Sequence, residues 1–229
     1  MNMKKYYIAV LLVASLAMLF TACSKMNDLH DKYLREGETI YLAKMDSLAL
    51  HSGRHRILVE YWISDPKAKK CKVEWDLGEK SAIYDVEKTV GKENPGSFYI
   101  ENLDETTVSF DFTLMTENME YPSLKTSAAV TVYGDRYVST LMGPTIKSIA
   151  YADSKVTLTL ASHYENVVGY VFNYPSSTGG TATKRTDIST LKIVLENAAD
   201  HGTVEYAAVY MPTEDSIDEY TTDFAQIDY

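Results

Sequence analysis

Apolar and polar residues alternate with a period of two from about residue 39 onward, which is typical of β-strands that bury one face. The clearest run is Val108–Leu114, where every second residue is apolar. Turn residues such as Asp65–Pro66 and Pro95–Gly96 separate the runs, because proline cannot donate to a strand ladder. About seven strands in about 100 residues predict an immunoglobulin-like β-sandwich over residues 39–140.

The same alternation begins again after a break at Met142–Gly143–Pro144. Val156–Leu160, Tyr170–Tyr174 and Val204–Tyr210 each place apolar residues at alternate positions. Neither half shows the apolar helical period that a crossover helix needs, so a parallel α/β sheet is disfavoured. The pattern therefore predicts an all-β chain with a second immunoglobulin-like sandwich over residues 141–229.

The sequence predicts that residues 1–22 are a secretory signal peptide. Lys4 and Lys5 precede an uncharged run, residues 6–20, that is shorter than the roughly 20 residues a helix needs to cross a bilayer core. The run ends in Thr21-Ala22-Cys23, which resembles a bacterial lipobox. The resemblance implies that the Cys23 sulfur receives diacylglycerol, that the chain is cut before Cys23 and that the new amino group is acylated. An ordinary signal peptide ending in a free thiol is the alternative.

Residues 23–38 predict a polar tether with a short helix, since Met26, Leu29, Tyr33 and Leu34 recur at helical spacing before Gly37. Several acyl chains, at about 0.8 kcal/mol per buried CH₂, would hold the protein durably on a membrane. We therefore expect a lipid-anchored protein of the bacterial outer membrane, with the cell surface favoured over the periplasmic face. The periplasmic face stays open as an alternative, because Ser24–Lys25 lacks an acidic export run.

The net charge of the chain limits the classes of macromolecule that it can bind. Lys and Arg number 22 against 32 Asp and Glu, which gives a formal net charge of −10. Such a chain repels phosphate backbones, so we expect no nucleic-acid partner.

No residue pattern indicates a metal, cofactor or catalytic site. His51 and His55 straddle a turn at Gly53 instead of converging with the further ligands that zinc needs. The acidic stretch Glu214–Glu219 lacks the glycine and ligand order of a calcium loop, so we expect a solvated acidic loop. Cys71 shares the inward face of its strand with Val73 and Trp75 and is interpreted as a buried thiol. We predict no metal and no cofactor, and a protein that is not an enzyme.

Several short motifs occur between about residues 30 and 140: Tyr33-Leu34, Gly37-Glu38, Tyr41, Gly53-Arg54, Ser64-Asp65-Pro66-Lys67, Val73-Glu74-Trp75 and Tyr133-Gly134-Asp135-x-Tyr137. Together they resemble an uncharacterised family of gut-bacterial surface lipoproteins. The resemblance implies a fibronectin type III-like domain and an envelope location, and it carries over no catalytic residue.

Aromatic residues are the remaining candidates for ligand binding. Sugars pack their C–H faces on aromatic rings while their hydroxyls bond to polar neighbours. Trp62 is out of phase with Ile57, Val59 and Tyr61, so it is predicted to face outward or onto an interdomain surface. Four tyrosines in or beside loops complete the hypothetical carbohydrate site: Tyr121, Tyr164, Tyr174 and Tyr220.

These observations favour a non-catalytic binding or accessory module, with polysaccharide as the ligand. The alternative is a structural spacer or adhesin-like subunit that meets outer-membrane protein partners through its sheet edges or acidic loops.

The anchor is testable by detergent phase partition. Wild-type protein is expected in the detergent phase, and Cys23→Ser in the aqueous phase, because without the thiol no diacylglycerol is attached. Cys71→Ala is the control and should partition like wild type. Mass spectrometry that finds an unmodified thiol at Cys23 of the wild-type protein would contradict the prediction.

Overall fold

A computed structural model describes residues 41–229 and, before them, only Met3 and Tyr6. The predicted signal peptide, Cys23 and the tether therefore lie outside the described residues. Leu42 to Tyr229 form one compact unit. Within the described part, no helix has the length and apolar character to cross a bilayer.

The first half of this unit is a sandwich of two antiparallel sheets. A three-stranded sheet has the order β1-β2-β5, and a four-stranded sheet has the order β4-β3-β6-β7. A 3-10 turn, Asp76–Gly78, joins β3 to β4. The strands are β1 (Ser47–Ser52), β2 (Arg56–Trp62), β3 (Lys70–Trp75), β4 (Lys80–Asp85), β5 (Gly96–Glu101), β6 (Thr107–Met115) and β7 (Thr126–Thr131).

The second half repeats this topology. Its sheets have the orders β12-β9-β8 and β11-β10-β13-β14, and β15 also pairs with β13, so that β14 and β15 share the position that β7 holds in the first sandwich. The strands are β8 (Ile146–Ala152), β9 (Lys155–Leu160), β10 (Val167–Pro175), β11 (Thr181–Thr186), β12 (Lys192–Glu196), β13 (Thr203–Tyr210), β14 (Tyr220–Thr221) and β15 (Ala225–Asp228).

Each sandwich has a hydrophobic core of its own, built by the alternation seen in the sequence. In β6, Val108, Phe110 and Phe112 are buried. In β9, Val156 and Leu158 are buried. Because alternate side chains point to opposite faces of a sheet, these runs pack inward and leave polar residues outside. The all-β class and the two consecutive sandwiches are confirmed.

The two sandwiches meet through the carboxylate of Asp218, which lies in the loop between β13 and β14. The Arg56 guanidinium donates to both of its oxygens, with Nε–Oδ2 at 2.9 Å and Nη2–Oδ1 at 2.6 Å. The backbone N–H of Arg54 also donates to Oδ2, at 2.9 Å. A bidentate pair fixes orientation as well as distance, so these bonds, here called the Asp218 clamp, orient one sandwich on the other.

Backbone contacts tighten the same junction. The N–H of Ile217 donates to the Ser52 carbonyl at 2.9 Å. A Cβ at Gly53 would lie 2.7 Å from Asp218 Oδ2, so this close approach of the loop requires glycine. The expectation of a solvated acidic loop at Glu214–Glu219 is wrong for Asp218, whose side chain is only 20% exposed and is bound to the first sandwich, whereas Glu214, Asp215 and Glu219 are exposed.

The short helix α1 (Asp135–Thr140) connects the sandwiches. The Glu105 carboxylate accepts the backbone N–H groups of Arg136 and Tyr137, at 2.8 and 2.5 Å, which satisfies free donors at the start of the helix. The rings of Tyr133 and Tyr137 pack against Tyr220, with centroids 6.2 and 5.2 Å away. The motif Tyr133-Gly134-Asp135-x-Tyr137 thus forms the connection.

The clamp predicts a pH-dependent loss of stability in Asp218→Asn. The hydrogen bonds from Arg56 lower the pKa of Asp218, so the clamp stabilises the protein above the pKa of the unfolded carboxyl. This contribution is lost as the pH falls through the lower pKa of the folded state. Because Arg56 is more than one third exposed, we expect Asp218→Asn to lower the free energy of unfolding by about 1 kcal/mol at neutral pH.

Urea unfolding at neutral and acidic pH checks this expectation, and the two proteins should converge in acid. Glu196→Gln is the matched control, since its ion pair with Lys155 is half exposed on both sides and should contribute less than about 0.5 kcal/mol. An Asp218→Asn effect that persists unchanged in acid would argue against the clamp.

Candidate functional site

Three loops of the first sandwich converge at the end opposite the Asp218 clamp. They are residues 63–69, 86–95 and 116–125, which follow β2, β4 and β6. The Lys70 ammonium lies between them, since it pairs with Asp85 at the end of β4 and with Glu117 in the third loop. The length of β1 separates this end from the clamp, about 17 Å at ~3.4 Å per residue.

A groove of about 620 Å³ opens at this end of the molecule. It lies where β2 ends, where Trp62 pairs with Ser47 at the start of β1. Its lining mixes one aromatic side chain with polar and charged groups: Asp46, Ser47, Trp62, Ile63, Ser64, Thr89, Gly91 and Lys92.

The Trp62 indole is held in place within this groove. Along β2 the residues Ile57, Val59 and Tyr61 are buried, and Trp62 falls on the other face, so its predicted outward register is confirmed. Its Nε1–H donates to the Lys92 carbonyl at 2.9 Å. Because the polar edge of the ring is already bonded, the half-buried ring offers apolar surface to a ligand in the groove.

The walls of the groove are tied together by hydrogen bonds. The Thr89 Oγ1 accepts the Ile63 N–H at 3.0 Å, and the Thr89 N–H donates to the Ile63 carbonyl at 2.9 Å. The Ser64 hydroxyl donates to Asp46 Oδ1 at 3.1 Å. Within residues 41–229, Asp46 Oδ2 and the Lys92 ammonium make no hydrogen bond or salt bridge.

The structure separates the five predicted aromatic residues. Tyr121 lies at the groove end of the first sandwich, in the loop 116–125, and is 49% exposed. Tyr164 is half-buried against the second core, where its hydroxyl lies 3.3 Å from Thr145 Oγ1. Among these five residues no aromatic pair is in contact. They do not form one site.

Tyr174 and Tyr220 require correction, because both are core residues. Tyr174 is 6% exposed in β10, and its hydroxyl donates to the Glu196 carbonyl at 3.0 Å. Tyr220 is fully buried, and its burial raises the pKa of its hydroxyl. Because both rings are buried, neither presents a surface to a ligand. The prediction failed because a residue that lies near a loop in the sequence is not always exposed.

Sequence reasoning missed the polar part of the groove. Asp46, Thr89 and Lys92 are far apart in sequence and carry no motif. They come together for two reasons. Strands β1 and β2 are paired so that Ser47 lies opposite Trp62. The hydrogen bonds between Thr89 and Ile63 then hold the loop that contains Lys92 beside these strands. The only local signal is the phase of Trp62 in its strand.

Cys71, the cysteine within residues 41–229, is unsuited to act as a nucleophile. Burial raises the pKa of the Cys71 thiol to about 12, so the sulfur stays protonated, as expected for a buried thiol. Within residues 41–229, no three His, Cys, Asp or Glu side chains lie close enough to hold a metal ion.

These features define a tandem β-sandwich protein with a groove at the loop end of its first sandwich. The chain belongs to DUF4998, a family described as a domain of unknown function, whose model matches residues 23–220. This match extends through most of the second sandwich, beyond the 30–140 segment in which the sequence motifs lie. A comparison with curated proteins finds no match.

Two solved structures from chicken are similar to the chain. One contains the FN1-FN3 domains of CNTN1, with 10% identity, a TM-score of 0.47 and coverage of 83% of this chain and 64% of that one. The chain thus spans about two thirds of the CNTN1 fragment. The other is a two-domain fibronectin type III segment of tenascin, with 13% identity, a TM-score of 0.29 and coverage of 81% and 98%. The assignment of the fold rests on the strand pairing of this chain.

Proposed function

We propose that the protein is a non-catalytic binding module of the bacterial cell envelope that holds carbohydrate in the Trp62 groove. The observation that carries the proposal is the indole that lines this groove, with its N–H already bonded and polar groups beside it. Carbohydrates need this combination, because their C–H faces stack on aromatic rings while their hydroxyls seek polar partners.

The polar groups of the groove match this ligand class. Asp46 Oδ2 is a carboxylate acceptor for a hydroxyl, and the Lys92 ammonium is a donor. Hydrogen bonds to charged groups are roughly twice as strong as neutral ones, which favours hydroxyl recognition over a purely apolar ligand.

The envelope location is supported by the sequence. The leader and Cys23 fit a lipid anchor, and the family match begins at residue 23, which is the first residue expected after cleavage. Several acyl chains would keep the module at the outer membrane, with its cell-surface side favoured.

Trp62→Ala tests the proposal. Calorimetry of the wild-type protein against neutral polysaccharides such as xylan, mannan, β-glucan and starch is expected to reveal a binder. Trp62→Ala should weaken that binding at least about tenfold, because each 1.4 kcal/mol of lost contact is a factor of ten.

Tyr151→Ala serves as the control, since Tyr151 is 37% exposed on the second sandwich, away from the groove. Its binding should equal wild type, and every variant should still unfold in one cooperative transition. No binding to any polysaccharide, or unchanged binding by Trp62→Ala, would refute the proposal.

The Asp218 clamp favours a second candidate function, a rigid spacer in an envelope complex. A stiff pair of sandwiches would set a distance between partners, and the bidentate Arg56–Asp218 pair supplies that stiffness. If the protein is such a spacer, we expect it to keep a stable protein partner in a mild detergent extract and to bind no glycan. We also expect small-angle scattering to show a broader size distribution for Asp218→Asn than for wild type.

A further inference from the structure

The outward face of the three-stranded sheet continues directly from the groove. Along β2, Trp62, Glu60 and Leu58 share this face, because the residues between them are buried. The register then extends the face across the sheet: Glu60 lies opposite Ser97 and Leu58 opposite Tyr99 on β5. Directly opposed residues of an antiparallel pair point to the same side.

Tyr99 is a second aromatic residue on this face. Its side chain is 47% exposed, and no sequence motif marks it. Trp62 and Tyr99 are four residues apart along the sheet and one strand apart across it, which places them about 14 Å from each other. A single sugar ring does not span that distance, whereas an oligosaccharide does.

The Tyr99 ring is supported from one side. The Arg56 guanidinium carbon lies 5.3 Å from the ring centroid, and Arg56 is itself held by both oxygens of Asp218. A ring held in this way loses little side-chain entropy when a ligand stacks on it.

Charges on the face favour an uncharged ligand. His51 lies between Glu60, at 3.1 Å, and Asp215, at 3.4 Å, while Arg56 is committed to Asp218. The charge of Arg56 is thus already paired with a carboxylate, and Glu60 and Glu101 share the face with it. The Lys92 ammonium of the groove is a single positive charge beside these two carboxylates, and the chain as a whole carries −10. Glu60 accepts hydrogen bonds from hydroxyls but repels an anionic polymer.

We propose that a linear, uncharged polysaccharide lies along this face from the Trp62 groove to Tyr99, so that the protein binds the length of a chain and not only a single terminal sugar. The inference rests on the proposed function, since it extends the same site. It adds Tyr99 as a residue that sets the preference for chain length.

The test compares disaccharides and octasaccharides of xylan, mannan, β-glucan and starch by calorimetry. Wild type should bind the octasaccharide of its preferred polymer at least about tenfold more tightly than the disaccharide. Tyr99→Ala should lose this advantage and leave disaccharide binding unchanged, whereas Trp62→Ala should weaken both. Tyr99→Phe should behave as wild type, because it keeps the ring.

Phe224→Ala is the matched control, since Phe224 is 45% exposed on the second sandwich. Urea unfolding of Tyr99→Ala shows whether the Asp218 clamp is intact. If Tyr99→Ala is less stable than wild type, Tyr99→Phe still tests whether the ring alone is sufficient for binding. Equal octasaccharide binding by Tyr99→Ala and wild type would overturn the inference alone. So would tighter binding of polygalacturonate, an anionic chain, than of any neutral one. Absence of binding to every probe would overturn both this inference and the proposed function.

Discussion

Strand β2 divides its side chains between two environments, and the rest of the molecule depends on that division. Ile57, Val59 and Tyr61 are buried in the first core, which pins the register of the strand against both neighbours. A slip of one residue would bury Trp62 and expose the core residues, so the hydrophobic effect itself holds the outward side chains in place. The same strand thereby supplies core, groove and the arginine of the interdomain clamp.

Periodicity predicted those parts of the molecule in which one face of a strand is buried. The runs Val108–Leu114 and Val156–Leu160 are strands for the reason the sequence suggests, and the phase of Trp62 in β2 correctly places it outside the core. These predictions succeeded because burial acts on each strand separately and leaves a period of two in the sequence.

The remaining features depend on contacts between distant segments. Tyr220 looks like a loop residue, but the linker tyrosines Tyr133 and Tyr137 bury it. The acidic stretch looks solvated, yet Asp218 meets an arginine that lies in the other sandwich. The same holds for the groove, since only the strand order brings Asp46 beside the loop that contains Lys92. The pattern of apolar and polar residues within one segment does not reveal its contacts with distant segments.

Arg56 serves two neighbours at once, because its guanidinium bonds to Asp218 and lies over the Tyr99 ring. A ligand stacked on the free side of that ring would hold the ring over the guanidinium, which would keep water from the Arg56–Asp218 pair and strengthen its attraction. Occupancy of the sheet face and stiffness of the joint would then be thermodynamically linked. Since such linkage is reciprocal, loosening the joint would in turn weaken the hold on the ligand.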